Sequence, residues 1–258
     1  MPKYLPFHSE AWHGVMLEGF EVPGGNLDGW LAEQAMRAWL KRPSRWIAAP
    51  SEKCPWYVKV LKSASDFDSL ANRLKWQLRP SRMLHTWRIS QELQAEGFDC
   101  PEIQLAARQR RWEPLGWPTD VLVSSPVPGR QVRELLQGES PEAILAAVAA
   151  ELARFHAAGF AHGDCIPGNL FLQKNGRLAF IDNDRTMRTH VWDRRPRIRR
   201  NLVQFAFHLL RRNQVSCDQA QEFLFKYVQY AKWPPDAAER ELTRIWQWVA
   251  RRLAAESK

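Results

Sequence analysis

Two short apolar runs, Leu170-Phe171-Leu172 and Leu178-Ala179-Phe180-Ile181, flank the polar turn Gln173-Lys174-Asn175-Gly176-Arg177. Asn175-Gly176 is expected to supply a pair of positive-φ residues and so to close a tight β-hairpin. A hairpin reverses the chain, so the segment that enters it and the segment that leaves it lie at the same end. His162-Gly163-Asp164-Cys165-Ile166-Pro167-Gly168-Asn169 enters, and Asp182-Asn183-Asp184 leaves. Asp164, Asn169 and Asp182 are thereby brought together without any long-range assumption. Carboxylates held this close are costly unless a cation sits among them, and hard oxygen donors of this kind suit Mg²⁺ bound to a nucleotide phosphate. One acid then holds metal while the other orients a hydroxyl.

The rest of the chain must supply a scaffold for that cluster. At 258 residues with 45% hydrophobic side chains, it is long enough to bury a sizeable core and too apolar to be largely disordered. No apolar run has the length a membrane-spanning helix needs, and the start, MPKYLPFHSEAWHG, lacks the apolar stretch of a secretion signal, so a cytoplasmic protein is expected. Cys54, Cys100, Cys165 and Cys217 are scattered with no CxxC pair, which reads as reduced structural thiols. A net charge of +9 favours acidic partners.

Turn signals divide the chain near residues 126–129 into a mixed first part and a mainly helical second part. Trp56-Tyr57-Val58-Lys59-Val60-Leu61 reads as a strand between Pro55 and Ser63-Ala64-Ser65, with Lys59 in its middle, and Val121-Leu122-Val123 as a second strand. A helix is expected over about residues 81–95, with Leu84, Trp87, Gln91 and Gln94 on one face and Gly97 at its end. Ser140-Pro141-Glu142 combines an N-cap, a first-turn proline and a first-turn acid, and opens a helix that runs to Gly159. From about residue 197 onward the apolar spacing is helical, with Leu202, Phe205 and Leu209 in one stripe and Phe223, Tyr227 and Trp246 on later faces.

The order H-G-D-x-x-x-x-N followed by I-D-x-D resembles the protein-kinase-like superfamily and its small-molecule phosphotransferases. That resemblance implies an α+β, bilobal fold, with a small sheet-containing N-lobe over residues 1–125 and a mainly helical C-lobe over 126–258. It implies Asp164 as the catalytic acid that accepts the substrate hydroxyl's proton, and Asn169 and Asp182 as metal ligands bridging ATP phosphates, with Asp184 in support. Lys59 resembles the strand lysine that contacts the α and β phosphates, and Ser124-Ser125 resembles the hinge whose backbone meets adenine.

Over about residues 45–230 the chain resembles more narrowly the lipopolysaccharide core kinase family, which phosphorylates heptose or Kdo sugars. Tyr57-Val58-Lys59-Val60-Leu61-Lys62 is similar to its Y/F-V-K-V-x-R strand, Trp87-Arg88 to its E-W-R helix, and Arg199-Arg200-Asn201-Leu202 to its R-x-N/D-L helix start. The implied cofactors are ATP and Mg²⁺, the implied partners a core sugar and an anionic inner-membrane surface, and the implied location the cytoplasm, peripheral to that membrane. No nucleic-acid partner is expected, because no recognised binding motif is present. Two departures stand out: Thr86 occupies the glutamate position of E-W-R, and no G-x-G-x-x-G is found, since Gly24, Gly25 and Gly29 precede a helical stretch. The other readings compatible with the residues are an aminoglycoside- or choline-like phosphotransferase and a pseudokinase scaffold. His156 and His162 read as packing and bracing residues. The arginine-rich stretch over residues 185–200 reads as an acceptor-binding face, and Trp30, Trp39, Trp46 and Trp192 as interfacial anchors.

Overall fold

A computed structural model describes residues 2–40, 44–47, 55–62, 80–110, 119–138, 141–212 and 215–256. Ser140, the Ser63-Ala64-Ser65 strand end and Cys54, all assigned above, lie outside the described residues, as does the side chain of Trp39. The chain divides into two compact units, one of Met1–Ala95 with Pro101–Pro126, the other of Glu96–Cys100 with Val127–Lys258.

The first unit is built on a six-stranded antiparallel sheet. Its strands are β1 (Tyr4–His8), β2 (Trp12–Leu17), β3 (Ser44–Ile47), β4 (Trp56–Lys62), β5 (Ile103–Gln109) and β6 (Thr119–Ser124), in the spatial order β1-β2-β5-β6-β4-β3. Period-two alternation gives the sheet two apolar faces. Val58, Val60, Leu105, Ala107, Val121 and Val123 face a core completed by Trp12, Trp30, Leu31 and Ala35, the last three from helix α1 (Leu27–Leu40), so Trp30 is a core residue and not the interfacial anchor expected. Ile103, Ala106 and Leu122 face Met83 of helix α2 (Arg82–Ala95). In α2 the buried stripe is Met83, Thr86, Ile89, Ser90 and Leu93, one position off the expected face, so Leu84 and Trp87 flank the contact rather than centre it. The sequence reading did not anticipate the β1–β2 hairpin, whose strands mix polar and apolar residues.

The second unit is mainly helical. After a short strand β7 (Arg130–Gln131) and a single turn α3 (Val132–Leu135) come α4 (Pro141–Ala157), α5 (Arg194–Arg211), α6 (Cys217–Tyr230) and α7 (Pro235–Glu256). Gly159, in the left-handed region at φ 87°, stops α4 as expected, and Ser216 caps α6 in a reciprocal capping box with Gln219. Between α4 and α5 lie β8 (Phe160–Ala161), the hairpin of β9 (Leu170–Leu172) and β10 (Leu178–Phe180), and β11 (Met187–Arg188), which pairs with β8.

The hairpin closes differently from expectation: only Gly176 takes a positive φ, at 78°. Asn175 instead accepts the Arg177 N–H on its side-chain oxygen at 2.9 Å, and the Gly176 N–H donates to the Gln173 carbonyl at 3.0 Å. Five residues therefore separate the paired strands, and a single left-handed glycine satisfies the turn.

Candidate active site

Beneath the hairpin sits a floor of phenylalanines. Phe180 stacks on Phe155 of α4 at 4.2 Å between ring centroids, and Phe98 meets Phe155, Phe160 and Phe180 edge-on at 5.3, 6.0 and 6.1 Å. Each fully buried ring contributes roughly 2 to 3 kcal/mol by removal of apolar surface from water. Glu151 of α4 ties the outer end of the hairpin, accepting from the Leu178 N–H at 3.2 Å and pairing with Arg154 and Arg177 at 2.9 and 3.3 Å. Desolvation pushes its carboxyl up, but the hydrogen bond from Arg154 and the other cationic and backbone donors outweigh that and hold it below the ordinary range.

Beyond the paired strands the Ile181 N–H donates to the Asn169 carbonyl at 3.0 Å, so the two polar segments continue side by side. Asn169, at the end of a 3-10 turn over Pro167–Asn169, donates its side-chain amide to the Asp164 carbonyl at 2.9 Å and to Asp164 Oδ2 at 3.2 Å. Its Oδ1 is thus the amide atom left for a cation. Asp182 is exposed in the left-handed region, at φ 59° and ψ 48°, and begins a second 3-10 turn over Asn183–Arg185. Buried Asn183 fixes that turn: its amide donates to the Phe180 carbonyl at 2.8 Å, and it accepts from the Thr186 hydroxyl at 3.1 Å. Gly163 is required where the segments meet, because a Cβ there would lie 2.0 Å from Arg185 Cβ and 2.5 Å from the Arg185 backbone.

The three residues expected to converge do so on the second unit, and a buried polar network that the sequence reading largely missed holds them. His162 accepts the Asp164 N–H on Nδ1 at 3.1 Å and donates from Nε2 to the Ile181 carbonyl at 2.9 Å, so one neutral ring ties the start of one segment to the start of the other. Burial lowers its pKa, in keeping with that neutral form. Asn201 of α5 clamps His162 from both sides, accepting its N–H at 2.9 Å and donating to its carbonyl at 2.5 Å. The same Asn201 oxygen accepts from His156 Nε2 at 3.0 Å, and His156 Nδ1 accepts the Tyr227 hydroxyl at 2.8 Å. One turn further along α5, Gln204 accepts the Cys165 N–H at 3.2 Å and donates its amide to Asp164 Oδ1. Both carboxylate oxygens of Asp164 therefore accept from side-chain amides. Asn201 lay within a recognised helix-start pattern, but its clamping role needs the fold; Gln204 carried no local signal at all.

The arginines after Asp182 divide into members with internal partners and members that are exposed. Arg188 pairs with Glu96 at 2.9 Å, Arg194 donates to the carbonyls of His156 and Ala157 at 2.7 Å, Arg197 pairs with Asp193 at 2.6 Å, and Arg199 with Glu241 at 2.7 Å. Arg194 and Arg199 tie α5 to α4 and α7, Arg197 closes on the residue that precedes its own helix, and Arg188 binds β11 to Glu96, while Arg185, Arg195 and Arg200 are exposed. Cys165 is buried beside Asp164 with its thiol pushed far up by desolvation, as a structural thiol would be, whereas Cys217 is exposed.

The remaining two site residues lie on the first unit. Lys59 is central in β4, with β3 on one side and β6 on the other, so it is no edge-strand lysine. It pairs with Leu122 and alternates with Val58 and Val60, which places it on the sheet face covered by α2. Thr86, at the glutamate position of α2, is buried and donates its hydroxyl to the Arg82 carbonyl at 2.8 Å. Ser125 follows β6; its N–H donates to the Glu102 carbonyl at 2.9 Å and its hydroxyl accepts from Gln104 at 2.9 Å. Gly24 and Gly25 have positive φ and precede α1, as expected, and the turn of the β1–β2 hairpin contains no glycine.

The donor set fits a magnesium ion shared with phosphate. Among the described residues no cluster of three or more His, Cys, Asp and Glu side chains could hold a metal alone. Asn169 Oδ1 and the Asp182 carboxylate offer hard oxygens from two residues only, which suits an ion that keeps several waters and takes its other ligands from a nucleotide.

No curated protein matches the chain. Among solved structures it resembles WaaP in complex with acyl carrier protein, at 19% identity over 82% of this chain and 84% of that one, with a TM-score of 0.54. It also resembles WbdD crystallised with a kinase inhibitor, at 17% identity over 82% of this chain but only 48% of that one, with a TM-score of 0.50. These likenesses show the kinase-like fold. The profile of the lipopolysaccharide kinase (Kdo/WaaP) family matches residues 50–227, more than half the chain. The chain therefore belongs to the lipopolysaccharide kinase (Kdo/WaaP) family and is a kinase of lipopolysaccharide core sugars.

Proposed function

We propose that the enzyme transfers the γ-phosphoryl group of Mg·ATP to a hydroxyl of a heptose or Kdo residue of the lipopolysaccharide inner core. The observation that carries this reading is the convergence of Asp164, Asn169 and Asp182, each fixed by named hydrogen bonds or backbone geometry. Asp164 accepts the proton of the sugar hydroxyl as that oxygen bonds to phosphorus and the bond to the ADP oxygen breaks. With both carboxylate oxygens already accepting amide N–H groups, Asp164 is aimed before the acceptor arrives, and little reorganisation remains for the reaction itself. Asn169 Oδ1 and the Asp182 carboxylate would hold the metal, which when bound would neutralise charge on the phosphates. Lys59 contacts the α and β phosphates. At Ser125 the amide is already engaged with Glu102, so the carbonyl is the backbone group this residue offers to adenine.

The acceptor is lipid-linked, so the enzyme works in the cytoplasm at the face of the membrane that carries it. Among the described residues no helix is long and apolar enough to cross a membrane, which fits peripheral action. Labelled γ-phosphate should pass from Mg·ATP to deacylated core lacking core phosphate. Asp164→Asn should lower kcat by about 10³-fold with nucleotide affinity retained; full activity in that variant would remove Asp164 from the mechanism.

A further inference from the structure

The turn between β11 and α5 displays two adjacent apolar side chains to solvent: Val191 is 94% exposed and Trp192 79% exposed. This turn is firmly held. The Thr189 N–H and hydroxyl both donate to the Gly159 carbonyl, at 2.7 and 3.1 Å, and the His190 N–H donates to the Asp193 carboxylate at 2.8 Å. The N–H groups of Asp193 and Arg194 return to the His190 carbonyl at 3.2 and 3.0 Å. Trp192 stacks on the His190 ring at 4.8 Å with 12° between planes, so one face of the indole is covered and the other remains open. Two adjacent exposed apolar side chains form a small contiguous patch, and apolar patches rimmed by polar residues are where protein or membrane contacts form.

The surroundings are strongly cationic. Residues 185–200 contain seven arginines against a single acid, Asp193. Asp193 is engaged with Arg197, and nearby Glu96 with Arg188, while Arg185, Arg195 and Arg200 are exposed. A Trp-Val tip backed by guanidinium groups is complementary to a surface whose outer layer is anionic and whose interior is apolar. A platform for stacking one sugar ring would use the open indole face and give no role to Val191.

We propose that the turn over residues 189–193 is a membrane-docking wedge: Val191 and Trp192 enter the headgroup layer of an anionic bilayer, and Arg185, Arg195 and Arg200 meet the lipid phosphates. The inference deepens the reading of a lipid-linked acceptor and rests on it. Docking here brings the segment that follows Asp182 to the surface where that acceptor is embedded.

The test is flotation of the full chain with phosphatidylcholine vesicles, with and without about one quarter phosphatidylglycerol. Wild-type protein should float with the anionic vesicles and not with the neutral ones. The double variant Val191→Ser/Trp192→Ser should partition about tenfold more weakly, while its phosphate transfer to deacylated, water-soluble core stays at the wild-type level. Trp248→Ala, an exposed tryptophan of α7, should float as wild type does. Equal flotation of the double variant and wild type would overturn the proposal. So would an unchanged flotation with loss of transfer to soluble core, which would make Trp192 a sugar platform. Asp164→Asn should float normally, so a failure of the catalytic assignment is read separately from a failure of docking.

Discussion

The residues proposed for the site are placed in different ways on the two units. On the second unit Asp164, Asn169 and Asp182 hang from one hairpin, the first and last 18 positions apart, and a buried network reaches them from α4, α5 and α6. On the first unit Lys59 and Ser125 owe their positions to a sheet whose order, β1-β2-β5-β6-β4-β3, joins strands far apart in the chain. Local chain reversal places Asp164, Asn169 and Asp182, while long-range pairing places Lys59 and Ser125. The first is expected to be unforgiving to single substitutions in its polar supports, the second more tolerant, because sheet register is shared among many backbone hydrogen bonds.

The sharpest contrast is between Asp182→Ala and Lys59→Ala. Losing Asp182 should abolish the Mg²⁺-dependent part of nucleotide binding, measured by titration with and without the ion, whereas losing Lys59 should weaken transfer by about 10²-fold and leave the ion dependence intact. If both variants lost the ion dependence alike, the division between the units would fail. Next in size, Gln204→Met should lower kcat by roughly 10- to 100-fold with KM for both substrates nearly unchanged. Gln204→Glu separates two roles: it keeps an acceptor for the Cys165 N–H but removes the donor to Asp164, so wild-type kcat there would show that Gln204 only supports the loop.

Asn201→Ala leaves the His162 backbone and His156 without their shared partner and should reduce stability by about 3 kcal/mol, read from denaturant unfolding. An effect of similar size concerns pH. His156 is buried and its pKa is lowered to about 4 by desolvation, partly offset by Asn201. The unfolded chain takes up a proton near pH 6.5 and the folded one does not, so the stability from this group is complete above about 6.5 and falls by roughly 3 kcal/mol as pH drops toward 4. Unfolding curves across that interval should flatten in His156→Gln. Glu151, whose pKa is depressed, contributes stability that is present above the ordinary carboxylate range and is lost at more acidic pH; Glu151→Gln should remove that acid-side loss.

The same contrast explains what could be read from the sequence. The hairpin, both polar segments, α2, α4 and the central lysine strand were legible because apolar periodicity and local turn chemistry encode them. The turn itself was misjudged, since Asn175 acts through its side-chain oxygen and not through a left-handed backbone. The β1–β2 hairpin was invisible because its strands alternate imperfectly and acquire meaning only against β5. Gln204 and Asn183 were missed for a simpler reason: an amide that completes a site looks like any other amide until the fold brings it there. The arginine stretch was legible only as a whole, because a run of like charges does not reveal which members find internal partners and which stay exposed.

Asp182 is an aspartate held in a left-handed backbone conformation, at φ 59°. A glycine would adopt that conformation with no penalty from a Cβ, and relief at such a position is worth about 1 kcal/mol. Stability and chemistry therefore pull this position in opposite directions. A population of variants selected for heat resistance alone would gain by Asp182→Gly and lose in the same step the carboxylate proposed to hold the metal, so on that proposal only selection that includes phosphate transfer keeps an acid there.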